Sequence, residues 1–290
     1  MIPLTLEAPA KLNLSLRVTS RRPAGYHELE SLTVLLDLAD RLLLMPGSSG
    51  LRVEGATDSP IPTDAQNLAW RGLLAGLDGE PDLACLTLEK QIAVGAGLGG
   101  GSSDAAAAWR LGRRWRGLGD GAGDADLAAL SRIGADVPFF AATLAAALVT
   151  GIGERVAPQQ LERSGTVHAV LAEATRPLST AEVFAELRAG EWSTERGIPL
   201  DPLKVAPNDL LAPARRLRPE IDDVFRLVAG AGGVPRMTGS GPTVYTLTDD
   251  EARSAAVAAR LRRAGVRVTE TRLRAEPASI EALSEDEEAQ

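Results

Sequence analysis

Cysteine occurs once in this sequence, at Cys85. That excludes an intramolecular disulfide and fits a reducing, cytoplasmic setting. Cys85 itself reads as a small buried apolar side chain of a strand. Long hydrophobic runs are missing too: no stretch of about 18 apolar residues exists to cross a membrane. The opening Met1-Ile2-Pro3-Leu4-Thr5-Leu6-Glu7 has no basic segment followed by an apolar one, so no secretory signal is read there. Positive charge is outnumbered, 31 Lys and Arg against 39 Asp and Glu. The net charge is −8, which argues against a nucleic-acid coat protein. Lysine is confined to Lys11, Lys90 and Lys204, and every other cationic side chain is arginine. Retaining a compact ammonium at Lys11 and Lys90 points to places that need one, although composition bias explains it equally well. No obligate protein partner is evident.

What the sequence has in concentration is glycine, at Val94-Gly95-Ala96-Gly97-Leu98-Gly99-Gly100-Gly101-Ser102-Ser103-Asp104. Such a loop lets the backbone approach a ligand closely, and the strong helix formers after it make a helix start. Free N–H groups there, with the positive end of the helix dipole, form an anion site, and phosphate is the expected anion. The formal G-x-G-x-x-G of Gly95, Gly97 and Gly100 keeps a dinucleotide fold in view. Against it stand the charged Glu89-Lys90-Gln91, the extra Gly99 and Gly101, and Ser102-Ser103, whose hydroxyls suit phosphate oxygens or magnesium. A Walker A loop is excluded, because no Gly-Lys-Ser/Thr is present. The plain alternative is a flexible loop whose serine only caps the helix.

The alternation of Leu4, Leu6, Leu12, Leu14, Leu16 and Val18 predicts a strand over 4–18, with an edge or bulge at Pro9. Strands follow at 28–38, 41–45 and 51–54, then a helix capped by Thr63 or Asp64 and running to Leu77. A strand at 85–92 feeds the glycine loop, a helix runs to Trp115, another spans 124–133, and a strand covers 145–150. Beyond a boundary near 155, the order β-α-α-α-β-α-β predicts an α+β sandwich with strands at 166–173, 243–248 and 266–273. The expected units are 1–155, 156–276 and a disordered acidic tail, 277–290, which carries Glu281, Glu285, Asp286, Glu287 and Glu288.

Four further motifs stand out. In Pro9-Ala10-Lys11-Leu12-Asn13-Leu14, Lys11 and Asn13 share one strand face, either solvated or set to touch one ligand. Gly25-Tyr26-His27 puts an aromatic beside an imidazole on a loop, suited to a base; His168, the other histidine, reads as packed core. In Gly134-Ala135-Asp136-Val137-Pro138 the carboxylate is either an N-cap or a group that deprotonates a hydroxyl. Met237-Thr238-Gly239-Ser240-Gly241-Pro242-Thr243 is a second glycine turn opening into a strand.

Together, and in this order, the five motifs resemble the GHMP kinase superfamily. The triple glycine before Ser102-Ser103 and the Gly25-Tyr26-His27 loop are similar to its branch acting on a cytidine diphosphate-linked methylerythritol in non-mevalonate isoprenoid synthesis. The resemblance implies a two-domain α+β fold, an S5-like N-terminal domain and a ferredoxin-like C-terminal one, with the active site between them. It implies ATP-dependent phosphorylation of the substrate's 2-hydroxyl, with Asp136 as base and Lys11 beside it. Asn13, Tyr26, His27, Phe184, Gly239 and Ser240 would bind the acceptor. Gly95, Ala96, Gly97, Leu98, Gly99, Gly100, Gly101, Ser102 and Ser103 would take the ATP phosphates, with Asn67 and Lys90 near the nucleoside. Ser102 and Ser103 would ligate Mg2+. The chain departs from the family's pattern at Ala93, where relatives often have proline, and at Asp104, where they often have asparagine. Two other readings remain: a kinase of another small alcohol, of homoserine or mevalonate type, and an NAD-binding module built on the G-x-G-x-x-G.

Overall fold

The computed structural model describes residues 2–23, 25–55, 60–79, 84–188, 190–192 and 197–283. The first strand, β1 (Leu4–Asn13), does not run unbroken to Val18. Its register against β3 (His27–Pro46) shifts between Pro9 and Lys11. Proline cannot donate to the ladder, so a proline inside a central strand forces a bulge. Past the bulge the Lys11 N–H donates to the Leu98 carbonyl at 2.9 Å, and the strand thereby picks up the glycine loop. β2 (Arg17–Arg21) is a separate strand, paired with the start of β3.

β3 joins what the sequence divides into two strands. The divider is Asp40, which is fully buried. Its carboxylate is used up as a hook. Oδ1 accepts from the N–H groups of Gln91 (2.5 Å) and Ile92 (2.8 Å), and Oδ2 accepts from Lys90 Nζ. β3 therefore continues in the 8-stranded sheet, whose path is β12-β1-β3-β5-β4. Here β4 is Gly50–Glu54, β5 is Ala84–Glu89 and β12 is Glu281–Ala282. β6 (Ala146–Gly151) pairs the other half of β3, and β7 (Arg155–Pro158) pairs β6.

The helix expected from Thr63 or Asp64 starts later. It is α1 (Leu68–Gly76), capped by Asn67, whose side chain accepts from the Ala69 N–H. Asp64 closes the turn before it, accepting from the Gln66 N–H at 2.9 Å. α1 lies against α2 (Gly100–Trp115) with almost no space between backbones. A Cβ on Gly72 would come within 2.0 Å of the Ala105 carbonyl oxygen, and one on Gly76 within 2.3 Å of that of Trp109. α3 (Asp124–Leu130) and the short α4 (Val137–Ala141) lead back to β6.

The second sheet has the order β11-β8-β10-β9, all antiparallel. Its strands are β8 (His168–Ala172), β9 (Arg236–Met237), β10 (Val244–Thr248) and β11 (Val268–Arg272). With α5 (Thr180–Ala185), α6 (Leu211–Leu217) and α7 (Glu220–Gly230) before β9, and α8 (Glu251–Arg263) before β11, this is the ferredoxin-like order. The two-residue β9 is too short to leave a periodic signal, which is why the sequence reading lacks it. His168 is half-buried rather than core, and Cys85 is half-buried too.

One face of this sheet carries the helices. The other face (Ala169, Leu171, Tyr245 and Leu247) joins Leu12, Leu32, Ile92 and Leu98 of the first unit in one apolar cluster. Residues 277–283, expected in a disordered tail, instead return to the first sheet. Ala278 is buried with its carbonyl held by Arg110 Nη1 at 3.0 Å, and β12 pairs β1 at Leu4 and Thr5. Residues 284–290 of that expected tail lie outside the described residues.

Lys90 is clamped between two elements. Besides Asp40 it meets Asp104 Oδ2 of α2 at 2.7 Å. Burial pulls the Lys90 ammonium down, but Asp104 and Asp40 outweigh it and the net shift is upward. Burial pushes the Asp104 carboxyl well above its usual range; Lys90 opposes this and Asp40 adds to it. Removing one partner of a buried ion cluster costs about 3–5 kcal/mol, because an unmatched charge stays behind. Asp40→Ala, which also frees two loop N–H groups, should lower stability by about that amount in urea unfolding. Asp104→Asn should cost clearly less, since Lys90 keeps Asp40.

Candidate active site

A cavity of about 610 Å³ opens where the glycine loop, the end of β1, the start of α4 and the glycine turn after β9 converge. Fifteen of the site residues that the resemblance implies line it. They are Lys11, Asn13, Asn67, Lys90, Gly95, Ala96, Gly97, Gly99, Gly100, Gly101, Ser102, Asp136, Phe184, Gly239 and Ser240.

At its centre, Lys11 Nζ donates to Asn13 Oδ1 and lies 3.5 Å from Asp136 Oδ2. Asn13 is turned this way by what holds its other end. Its Nδ2 donates to Ser31 Oγ at 2.7 Å, and that hydroxyl donates onward to the Ser15 carbonyl. Oδ1 is thereby left facing the ammonium. Asp136 is the N-cap residue of α4, yet its side chain makes no capping hydrogen bond. The capping alternative is not realised. With 44% of its side chain exposed, it is a carboxylate free to accept a proton in the cavity.

The glycine loop reaches the cavity with backbone. Gly99 sits at φ +74° as the N-cap of α2, so neither serine caps the helix. The N–H groups of Gly100, Gly101 and Ser102 belong to the first helical turn, where no intrahelical acceptor exists. The Ser103 N–H is already bonded to Gly99 O at 2.9 Å. Ser103 is buried and lies off the cavity wall, facing the small space beside Ala8 and Phe140, so it is corrected as a metal ligand. Leu98 is likewise off the wall, with its side chain in the apolar cluster and its carbonyl on Lys11.

The strands flanking the loop, β5 and β6, both run antiparallel to β3. They pair different halves of β3 and not each other, and the parallel pair β4–β5 precedes the loop, so the G-x-G-x-x-G does not open a βαβ unit of neighbouring parallel strands, and the dinucleotide alternative falls on that ground.

The second glycine turn closes on the first. A Cβ on Gly97, at φ +78°, would come within 2.8 Å of the carbonyl oxygens of both Thr238 and Gly241. Thr238 Oγ1 accepts from the Asn13 N–H at 3.0 Å, and Tyr245 OH donates to the Asn13 carbonyl at 3.0 Å. Burial pushes the Tyr245 phenol up to about 12, so it remains a donor. Asn208 Nδ2 donates to the carbonyls of Met237 and Gly239, and Ser240 Oγ is 2.9 Å from Thr180 Oγ1.

Asn67 and Lys90 line the cavity with their polar groups committed. Asn67 caps α1 and donates to the Pro62 carbonyl at 2.7 Å, which sets the wall formed by Ile61 and Pro62. The Lys90 ammonium is taken by Asp40 and Asp104.

Tyr26 and His27 do not line the cavity. Tyr26 is exposed. His27 stacks on Phe184, with centroids 5.3 Å apart and planes at 17°, and so borders the cavity through it. Burial and the neighbouring Arg21 both lower the His27 pKa, which keeps the imidazole neutral at pH 7.

The sequence reading passed over Asp40, Tyr245, Asn208 and Trp192. None sits in a glycine or proline motif; an aspartate inside an apolar strand was the one signal for Asp40.

Gly97→Ala should cost about 1–3 kcal/mol, from a left-handed backbone and the two carbonyl clashes. The measurement is a urea unfolding curve. Gly101→Ala, whose Cβ meets nothing closer than 3.5 Å, should be near neutral by the same curve.

Comparison with known proteins agrees with this architecture. The family described as GHMP kinases N terminal domain matches residues 67–150, and GHMP kinases C terminal matches residues 203–267. The chain is 40% identical to a 4-diphosphocytidyl-2-C-methyl-D-erythritol kinase of Nocardia farcinica, over 91% of each chain. It is also 40% identical to one of Methylorubrum extorquens, over 93% of this chain and 99% of that one. A crystal structure of 4-(cytidine 5'-diphospho)-2C-methyl-D-erythritol kinase superposes with TM-score 0.75 at 33% identity, covering 92% of this chain and 98% of that one. A homoserine kinase from Cytophaga hutchinsonii shares the fold at TM-score 0.62 and 16% identity, over 97% of each chain. The chain belongs to the 4-diphosphocytidyl-2-C-methyl-D-erythritol kinase family of GHMP kinases.

Proposed function

We propose that this protein transfers the γ-phosphoryl group of ATP to the 2-hydroxyl of 4-diphosphocytidyl-2-C-methyl-D-erythritol, giving the 2-phosphate and ADP. It would act in the cytoplasm on small molecules held between units 1–155 and 156–276. The observation that carries this reading is the Lys11–Asp136 pair, 3.5 Å apart in the cavity that also receives the start of α2.

The hydroxyl gives its proton to Asp136 as its oxygen attacks the γ-phosphorus, and the bond to the β-phosphate oxygen breaks to release ADP. Lys11 has one job at rest and another in the reaction. At rest it holds the Asp136 carboxylate at 3.5 Å; in the reaction it neutralises charge that builds on the transferred group. Asn13, fixed by Ser31, holds the alcohol. The backbone N–H groups of Gly100, Gly101 and Ser102 hold phosphate oxygens without needing a side-chain cation. Ile61, Pro62 and Asn67 wall the nucleoside.

Among the described residues no group of three or more His, Cys, Asp or Glu side chains could hold a metal. The donor set fits an ion that arrives on the phosphates and takes one hydroxyl from the protein. Ser102 would supply it, its Oγ facing Gly134 so closely that a Cβ there would come within 3.3 Å. Bound magnesium would neutralise the phosphate oxygens.

An ADP-release assay with ATP and magnesium tests the reading across the cytidylated alcohol, free methylerythritol, homoserine and mevalonate. Turnover of the cytidylated alcohol is expected, and its absence would sink the proposal. Asp136→Asn should lower kcat by about 10²–10⁴-fold. Its melting temperature should fall only slightly, because the half-exposed side chain makes no capping bond and Lys11 keeps Asn13 as a partner. The base-binding end gives a pH dependence. Burial and Arg21 lower the His27 pKa below the ordinary 6.5, so the rise in acceptor KM on acidification should have its midpoint below pH 6.5. A rise centred above 6.5 would contradict a neutral His27.

A further inference from the structure

His27 borders the cavity only through Phe184, so its usefulness depends on the plane in which its ring is held. Phe184 fixes one direction. The perpendicular direction is fixed by Trp192, whose ring meets His27 edge-on with centroids 6.1 Å apart and planes at 89°. A ring stacked on one side and abutted at right angles on another cannot turn about its side-chain bonds without losing one contact.

Trp192 is itself tethered. The residue before it, Glu191, is gripped by both arms of Arg216 of α6, at 2.6 and 3.0 Å. The same carboxylate accepts from the Arg188 N–H at 2.8 Å. Arg216 also donates to the Glu186 carbonyl, just past α5. A two-armed guanidinium–carboxylate pair sets orientation as well as distance. Arg216 and the Arg188 N–H hold the Glu191 carboxyl down at about 2, so the clamp stays ionised across the working pH range. The clamp and Trp192 belong to the C-terminal unit, while His27 lies on β3 of the first sheet. The indole Nε1 has no acceptor among the described residues. Phenylalanine would fill the space without that unmet donor, so the ring contact rather than a hydrogen bond accounts for what Trp192 does here.

We infer that Trp192, held by the Arg216–Glu191 clamp, is a positioning residue that orients His27 for the cytidine end of the acceptor. The inference rests on the function proposed above. It separates the two substrates: the acceptor's base depends on this lock, whereas ATP sits against the glycine loop at the other end of the cavity.

The test is steady-state kinetics on the full chain, varying the cytidylated alcohol and ATP in turn, with melting temperatures in parallel. Trp192→Ala should raise the acceptor KM about tenfold and leave the ATP KM within about twofold. Trp192→Phe, which restores a ring, should recover most of that loss. Arg216→Met, which releases the clamp without touching Trp192, should move the acceptor KM in the same direction and serves if Trp192→Ala does not fold. A wild-type protein that turns over the cytidylated alcohol, with variants that shift both KM values equally or neither, overturns the role of Trp192 alone. A wild-type protein that does not turn it over overturns the proposed function, and this role with it.

Discussion

Two backbones touch at Gly97, and the active site exists because they can. The glycine loop of the first unit meets the carbonyls of Thr238 and Gly241 in the second at a distance that leaves no room for a β-carbon. Everything that faces the cavity is referenced to that contact. Asn13 receives Thr238 on its N–H and Tyr245 on its carbonyl, so the β1 strand end is bonded to the C-terminal sheet from both sides of one residue. Lys11, two residues earlier, takes the Leu98 carbonyl onto its own N–H. Lys11 and Asn13, two of the side chains that face the cavity, are thus carried by a strand whose backbone is bonded to both the glycine loop and the C-terminal unit. The contact is backbone against backbone, so no change of side-chain rotamer can relieve it.

The charge layout follows from the same economy of space. Two ammonium groups line the cavity, and they have opposite fates. Lys90 is saturated by Asp40 and Asp104 and serves as a rivet between β3, the loop and α2. Lys11 meets only one carboxylate, Asp136, at a longer distance, with Asn13 as a neutral neighbour. A phosphate group entering the cavity therefore finds one ammonium with charge to spare, beside Asp136, the base we propose. The rest of the phosphate's stabilisation falls to peptide N–H groups, which do not need deprotonating, desolvating or reorienting.

Much of this was readable in the residues. The glycine loop, the Lys11–Asn13 face and Asp136 announced themselves because unusual backbone and paired polar groups leave local marks in sequence. The nearly whole-chain order of the five motifs then pointed to the family. What could not be read is of one kind: contacts whose partners lie far apart in the chain. Asp40 looks like a strand break until its acceptors are counted against the N–H groups of Gln91 and Ile92, fifty residues on. Asn67 looks like a ligand residue until its amide is found capping α1. Ser103 looks equivalent to Ser102 until the helix is seen to start at Gly100, which turns consecutive side chains about 100° apart and sends one inward. The acidic composition of the C-terminal stretch concealed Ala278 and the short β12 pairing, because two residues of strand carry no period.

The lysine distribution can now be argued physically rather than by composition. Lys204 is exposed, and nothing in its surroundings distinguishes it from arginine. Lys11 and Lys90 are both buried, and each donates through a single nitrogen into a narrow space. The γ-carbon of Lys11 already lies 3.0 Å from where a Cβ on Gly99 would be, and the Lys90 nitrogen lies between two carboxylates from different elements. A guanidinium is a flat fork about twice as wide, with donors fixed in one plane. At Lys90 it could face one carboxylate squarely but not both. At Lys11 it would push into the loop that Gly99 is small enough to admit. The ammonium is retained in an arginine-rich chain at the two positions where the glycine loop sets the clearance.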